Sequence, residues 1–259
     1  MSVILEVKNL NKDYDKKNTL KNINFHINEG EIFGLVGESG CGKSTIAKIL
    51  TGLIEKNSGD IIFKGKKIEY NKRRDFTKIQ MVFQDPNSSL NPMKTIRWIL
   101  EEPFKINKVT DKKFIDEKIN EMLEMANLTK DTLEKYPFEM SGGQKQRIAI
   151  ILALLSNPEL LIADEAVSSL DLSGQASILN FFKKLQAELK LSYLFISHDL
   201  RVVYHLCDRI AVMKDGVIVE EGTPHEIYFN CKHEYTKELL KALPSSPDFM
   251  RALNKTTAE

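Results

Sequence analysis

The segment Gly37-Glu38-Ser39-Gly40-Cys41-Gly42-Lys43-Ser44 constrains this chain more than any other, because it fits GxxxxGK[ST] and lies where that pattern has physical meaning. Before it, Ile32 to Val36 is a short apolar run of the buried-strand type. After it, Ser44 to Ile54 repeats Ile46, Ile49, Leu50 and Leu53 at helical spacing. A strand, a glycine-rich turn and a helix therefore follow one another. Gly37, Gly40 and Gly42 let backbone N–H groups converge on an anion, and the start of the helix adds a favourable field. Lys43 is placed to reach outer phosphates of a nucleotide and Ser44 to hold Mg²⁺. Ser39, Cys41 and Thr45 complete the loop, with Cys41 at a position where the backbone is expected to matter more than the thiol.

The remaining pattern is α/β. Ile4 to Val7 alternates weakly, and Ile23, Phe25 and Ile27 alternate cleanly before a turn at Asn28 to Gly30, which predicts an antiparallel layer. From Met93 to Leu155 the β-branched runs disappear. Phe114, Ile115, Ile119, Met122, Leu123 and Met125 fall on helical periods there, so a helical insert is expected. Strand runs return at Leu160 to Ala163, Tyr193 to Ser197, Ile210 to Met213 and Val217 to Glu220, with a helical segment near Ile178 to Leu189.

Two further segments carry chemistry. Leu160 to Ala163 ends in Asp164-Glu165, which at the carboxyl end of a parallel strand would face the phosphate loop. Asp164 suits Mg²⁺, and Glu165 suits the base that orients or deprotonates an attacking water. Alone, an apolar run ending in two carboxylates fits a strand meeting solvent; beside the phosphate loop the chemical reading is preferred. Met140-Ser141-Gly142-Gly143-Gln144 precedes a helical run from Gln146 to Leu155, so its backbone donors and the Ser141 hydroxyl could form a second anion site. The plain alternative is a helix-start turn.

Bulk properties narrow the field. Lys+Arg of 37 against Asp+Glu of 36 leaves no charge excess to draw the chain to nucleic acid. No run of eighteen apolar residues occurs, and Met1 to Asn9 lacks the apolar segment of a secretory signal, so the chain is expected to stay in the cytoplasm. Cys41, Cys207 and Cys231 are widely spaced, which predicts reduced thiols in packing roles rather than a disulfide framework or a CxxC metal site.

The ordered motifs, from Val3 to about Leu243, resemble the ATP-binding subunit of an ABC transporter. That resemblance implies a P-loop NTPase (RecA-like) core over about 1–92 and 157–224, with an antiparallel β layer. It also implies an inserted α-helical subdomain over about 93–156 and a C-terminal helical segment over about 225–243; beyond these, residues 244–259 carry Ser, Pro and Thr with little periodicity and read as a loosely ordered tail. In this reading Gly37 to Thr45 is the Walker A loop, Leu160 to Glu165 the Walker B strand and Ser141 to Gln144 the signature. Gln84 matches the glutamine that touches Mg²⁺ and the attacking water, Asp171 the D-loop aspartate and His198 the switch histidine near the γ-phosphate. Tyr14 stands where an aromatic residue meets adenine. Set apart from the resemblance, Gln84 and Asp171 read as surface polar residues, Tyr14 as a half-buried strand tyrosine and His198 as a satisfied structural histidine.

The resemblance further implies that two such subunits face each other head to tail, so that Ser141, Gly142, Gly143 and Gln144 close over the partner's ATP. Phe83-Gln84-Asp85-Pro86-Asn87-Ser88-Ser89-Leu90-Asn91-Pro92 and His233 to Leu240 are similar to the oligopeptide and nickel importer class. That class implies a homologous, non-identical second ATPase, two integral membrane permease subunits, an extracellular solute-binding protein and a place at the cytoplasmic face of the membrane. Ala166-Val167-Ser168 resembles nickel importers, while Met140 and Leu152 depart from the common Leu and Arg. With Cys231 the only nearby cysteine, no iron–sulfur cluster is expected. Two other readings stay open: a soluble ABC ATPase acting on ribosomes or DNA, and an ATP-gated structural subunit with little turnover.

Overall fold

The computed structural model describes residues 2–14, 17–69 and 76–242; the expected tail at 244–259 lies outside them. Two sheets carry the fold. Strands β1 (Val3–Tyr14), β2 (Lys17–Asn28), β4 (Ser58–Phe63) and β5 (Lys66–Lys67) form an antiparallel sheet in the order β2-β1-β4-β5. The second sheet holds β3 (Ile32–Val36), β6 (Ile79–Val82), β7 (Leu160–Asp164), β8 (Ser192–Ser197), β9 (Arg209–Lys214) and β10 (Val217–Gly222). Its order is β10-β9-β3-β8-β7-β6, parallel except for the last hairpin, β9 with β10.

The apolar runs are short and unbroken because this parallel sheet is covered on both faces. In β3, Phe33 and Leu35 point into the core shared with the antiparallel sheet and helix α1 (Lys43–Leu50), while Ile32 and Val36 point to the opposite core. The same alternation places Leu160 and Ile162 of β7 on the first face and Leu161 and Ala163 on the second. Each fully buried Leu, Ile or Phe contributes roughly 1.5–3 kcal/mol. A one-residue slip would exchange every side chain between two filled cores, so the register is strongly specified.

The second core also takes α3 (Ile96–Ile106), α4 (Lys112–Met125) and α5 (Gly142–Leu154), which lie in the stretch read as a helical insert, while the short α2 (Pro86–Ser89) precedes that stretch. Of the periodic residues read in α4, Ile119, Met122, Leu123 and Met125 are buried and Phe114 is exposed. Helices α6 (Leu172–Leu189) and α7 (Leu200–Leu206) cover the same face, and α8 (Pro224–Phe229) and α9 (Glu234–Lys241) follow the last hairpin. The helix expected to reach Ile54 stops at Leu50, since Gly52 adopts φ 73° and leaves Leu53 57% exposed. A left-handed glycine just past a helix end is a strong stop signal. The periodic leucine three residues beyond the last turn suggested otherwise.

Strand register is what builds the site. Val36 of β3 pairs with Ser197 of β8, Asp164 of β7 with Ile196, and Ala163 with Val82 of β6. Four parallel strands thus end along one edge, and the residues that follow them are Gly37, His198, Glu165 and, one step past Phe83, Gln84. The open edge at the carboxyl ends of such a sheet is where ligands of α/β proteins bind.

Candidate functional site

The glycine loop wraps the start of α1 and is pressed against the β9–β10 hairpin. Cys41 accepts a hydrogen bond through its carbonyl from the Gly216 N–H at 3.1 Å. A Cβ at Gly37 would lie 2.1 Å from the Met213 carbonyl oxygen, and one at Gly42, which has φ 114°, would strike Leu20 and Met213. These positions accept glycine alone.

Lys43 is only 4% exposed. Its ammonium donates to the carbonyls of Gly37 at 2.7 Å and Glu38 at 2.8 Å, and lies 3.7 Å from the Cys41 sulfur. A buried cation costs several kcal/mol unless such donors and acceptors are matched, and the loop carbonyls hold this charge in place. Cys41 therefore does more than fill a free loop position, since its buried thiol packs beneath the loop beside Lys43. Burial pushes that thiol above its usual pKa and the nearby ammonium only partly offsets it, leaving a poor nucleophile.

Ser44 donates its hydroxyl to Asp164 Oδ1 at 3.1 Å, across the gap between α1 and the end of β7. Cis ligands of an octahedral ion at about 2.0–2.1 Å stand about 3 Å apart, and both atoms are hard oxygen donors, so the pair fits Mg²⁺. Asp164 is 7% exposed. Burial raises its pKa, with the Ser44 hydrogen bond opposing and the neighbouring Glu165 adding to the rise. A carboxylate uncomfortable in its pocket is a ready acceptor for a cation.

Glu165 follows at once, with φ 50°, a left-handed conformation rare for a side chain of this size. Its N–H donates to the Ile196 carbonyl at 3.0 Å, and its carboxylate stands 3.3 Å from His198 Nδ1. From there a chain of polar contacts runs outward. The Ser168 hydroxyl donates to the Glu165 carbonyl at 2.9 Å and accepts from Gln84 Nε2 at 3.3 Å. Lys43, Ser44, Asp164, Glu165, His198 and Gln84 are thereby brought to one edge, and the arrangement can hold a phosphate chain, a divalent cation and a water beside a carboxylate. Ser168 is a member that motif reading left without a role of its own.

The other expected residues lie apart from this group. Ser141 and Gln144 form a reciprocal cap on α5: Ser141 Oγ accepts from the Gln144 N–H at 3.3 Å, and the Ser141 N–H donates to Gln144 Oε1 at 3.0 Å. The helix-start alternative is thus realised in the chain, and it also leaves the glycines bare. A Cβ on Gly143 would meet nothing within 4 Å, and one on Gly142 only Leu170 at 3.4 Å. Asp171 caps α6 by accepting from the Gly174 N–H at 2.7 Å, and is exposed. Tyr14, 43% exposed with the Lys12 ammonium over its ring at 5.1 Å, ends β1; Leu20, paired with Lys12, reaches the loop at Gly42.

Tyr235 was missed by sequence reasoning. Its hydroxyl accepts from the Glu38 N–H at 3.1 Å, bringing α9 onto the phosphate loop across 197 positions of sequence. No local pattern carries that signal.

The ABC transporter family model matches residues 20–168. The chain is 46% identical to the oligopeptide transport ATP-binding protein OppF of Lactococcus lactis, over 98% of this chain and 85% of that protein. It is 48% identical to the oligopeptide transport ATP-binding protein AppF of Bacillus subtilis, over 86% and 69%. Among solved structures, CbiO1 of Clostridium perfringens, part of the ABC transporter complex CbiONQ, superposes with a TM-score of 0.81 at 29% identity, covering 97% of this chain and all of that one. An ATP-binding cassette in a dimeric post-hydrolysis state bound to ADP and Pi superposes with a TM-score of 0.75 at 30% identity, over 85% and 99%.

Proposed function

The chain belongs to the ABC transporter family, and from that premise we propose that it is the ATP-hydrolysing subunit of an importer that carries oligopeptides. The observation that carries this reading is the common edge at which four strands end, since it gathers Lys43, Ser44, Asp164, Glu165, His198 and Gln84 in one place.

In this reading the loop N–H groups from Gly40 to Thr45 and the Lys43 ammonium bind the phosphates of ATP. Mg²⁺, held by Ser44 and Asp164 with Gln84 nearby, would supply charge neutralisation of the phosphates. The Glu165 carboxylate takes the proton of the attacking water or orients it, and His198, 3.3 Å away, steadies that carboxylate and stands beside the terminal phosphate. Tyr14 offers its ring to adenine. Ser141 to Gln144 present the bare glycines and a helix start to the ATP of the opposing subunit, with Asp171 at the same junction.

The partners follow from the same reading: a homologous, non-identical ATPase, two permease subunits, a solute-binding protein acting through them, and a place at the cytoplasmic face. Among the described residues no helix is long and apolar enough to cross a membrane. A groove of about 420 Å³ beside Gln84, lined by Met81, Phe83, Ile106 and Leu152, offers an apolar seat for a permease segment. The peptide assignment is favoured over nickel because OppF and AppF are peptide-transport proteins by name and the match to them is long. Reconstitution of the chain with its permease and second ATPase tests it: ATP-dependent uptake of a labelled oligopeptide with phosphate release is expected. Absence of phosphate release, or uptake of nickel in place of peptide, would refute it.

A further inference from the structure

We propose that Tyr235 on the C-terminal helix α9 is a positioning residue for Lys43, acting through the single peptide unit that joins Gly37 to Glu38. That unit has two polar ends. Its N–H, from Glu38, donates to the Tyr235 hydroxyl at 3.1 Å, and its carbonyl, from Gly37, accepts from the Lys43 ammonium at 2.7 Å. Tyrosine, peptide and lysine therefore form one hydrogen-bonded line, in which each bond polarises the next. The plane of this peptide decides where the Gly37 carbonyl points and so, together with the Glu38 carbonyl at 2.8 Å, sets where the ammonium sits.

The tyrosine end of the line is itself fixed. Tyr235 is 3% exposed, and the Lys214 ammonium lies over its ring at 4.5 Å. The Tyr235 N–H donates to His233 Nδ1 at 3.2 Å, capping α9. Just before the cap, the Lys232 and His233 N–H groups donate to the two carboxylate oxygens of Glu220 on β10, at 2.6 and 3.3 Å. The β9–β10 hairpin thus grips α9 and the phosphate loop together, since Met213 and Gly216 touch Gly37 and Cys41 while Lys214 and Glu220 hold the start of α9. On the other side Met213 packs close to Gly37, where an added Cβ would lie 2.1 Å from its carbonyl oxygen, and Tyr235 and Lys43 are the partners bonded to the two polar ends of the peptide. Removing the hydroxyl frees one end of the peptide and lets the Lys43 acceptor wander, while the ring goes on filling its pocket.

This inference rests on the reading of Lys43 as a phosphate ligand, and a double-mutant cycle on the full-length chain separates the two. Affinity for a fluorescent ATP analogue is measured up to millimolar nucleotide for the parent, Tyr235→Phe, Lys43→Ala and the double variant. Tyr235→Phe is expected to bind about threefold to tenfold more weakly than the parent, the worth of one hydrogen bond. The melting temperature without nucleotide should fall by no more than about 4 °C, the effect of that one bond on a chain of this size. In the Lys43→Ala background the same substitution should add less than about twofold, because the group it acts through is gone. A loss of equal size in both backgrounds would make Tyr235 a merely structural residue, and no loss in the parent would remove its role; either overturns the proposal. Lys43→Ala binding as tightly as the parent would instead overturn the phosphate-loop reading.

Discussion

The phosphate loop and the Ser141 to Gln144 turn both lie at helix starts rich in glycine, yet they differ in how they are finished. Around the loop every constraint comes from the same chain: Met213 and Leu20 exclude any side chain from Gly37 and Gly42, and Lys43 is buried on two carbonyls. At the turn the cap is complete, but Gly143 faces open space and Gly142 touches only Leu170 at van der Waals distance. Glycine is demanded by the protein's own packing in the first case and by no close contact among the described residues in the second. A bare, capped helix start in which a side chain would be tolerated sterically is consistent with a surface kept clear for an approaching anion. In the proposed reading the loop is a formed half-site, and the turn is the half that another chain completes.

The contrast can be broken first where the chemistry is concentrated. Glu165→Gln removes the proposed base while keeping shape, and is expected to lower phosphate release by the assembled complex roughly 10²- to 10⁴-fold with ATP binding retained. Unchanged release would take Glu165 out of its role. Ser168→Ala cuts the contact that ties Gln84 to the Glu165 carbonyl. A fall of about threefold to tenfold in turnover is expected, since two neutral hydrogen bonds are lost while Gln84 and Glu165 remain near.

The smallest effect is opposite in sign to the activity loss that accompanies it. Asp164 has its pKa raised by burial, so its ionised form is disfavoured in the folded chain. That penalty is present in full above the folded pKa and vanishes as pH falls below the unfolded value, because the folded state then binds its proton as readily as it needs to. Asp164→Asn should therefore raise the melting temperature of the nucleotide-free chain at neutral pH, with the gain shrinking toward acid pH, while abolishing Mg²⁺-dependent turnover. A lower melting temperature at neutral pH would show that the carboxylate stabilises the empty site.

Much of the loop half was legible because its signals are contiguous. The strand Ile32–Val36, the glycines and Lys43-Ser44 occupy one stretch, and Leu160 to Glu165 another, and each is read by local period and residue type. What sequence patterns did not show depends on contacts between distant positions. The Glu38–Tyr235 bond, the Ser168 bridge and the left-handed backbone of Glu165 arise from packing and leave no mark on periodicity. Leu53 shows the converse error, in which a residue on the apolar period lies past a helix stop that Gly52 imposes. Ser141 and Asp171 carry two meanings at once, as helix caps within the chain and as residues of the proposed junction. Sequence alone shows the residue types and not which meaning governs.

The half-site account is tested most directly by Gly143→Asp, a substitution the fold accommodates because nothing stands near the added carbon. The account predicts that the isolated chain keeps its affinity for ATP within about twofold. Turnover of the complex assembled with its partner ATPase should fall roughly tenfold or more, since a carboxylate set against the partner's phosphates costs several kcal/mol. Loss of ATP affinity in the isolated chain, or unchanged turnover in the complex, would contradict it.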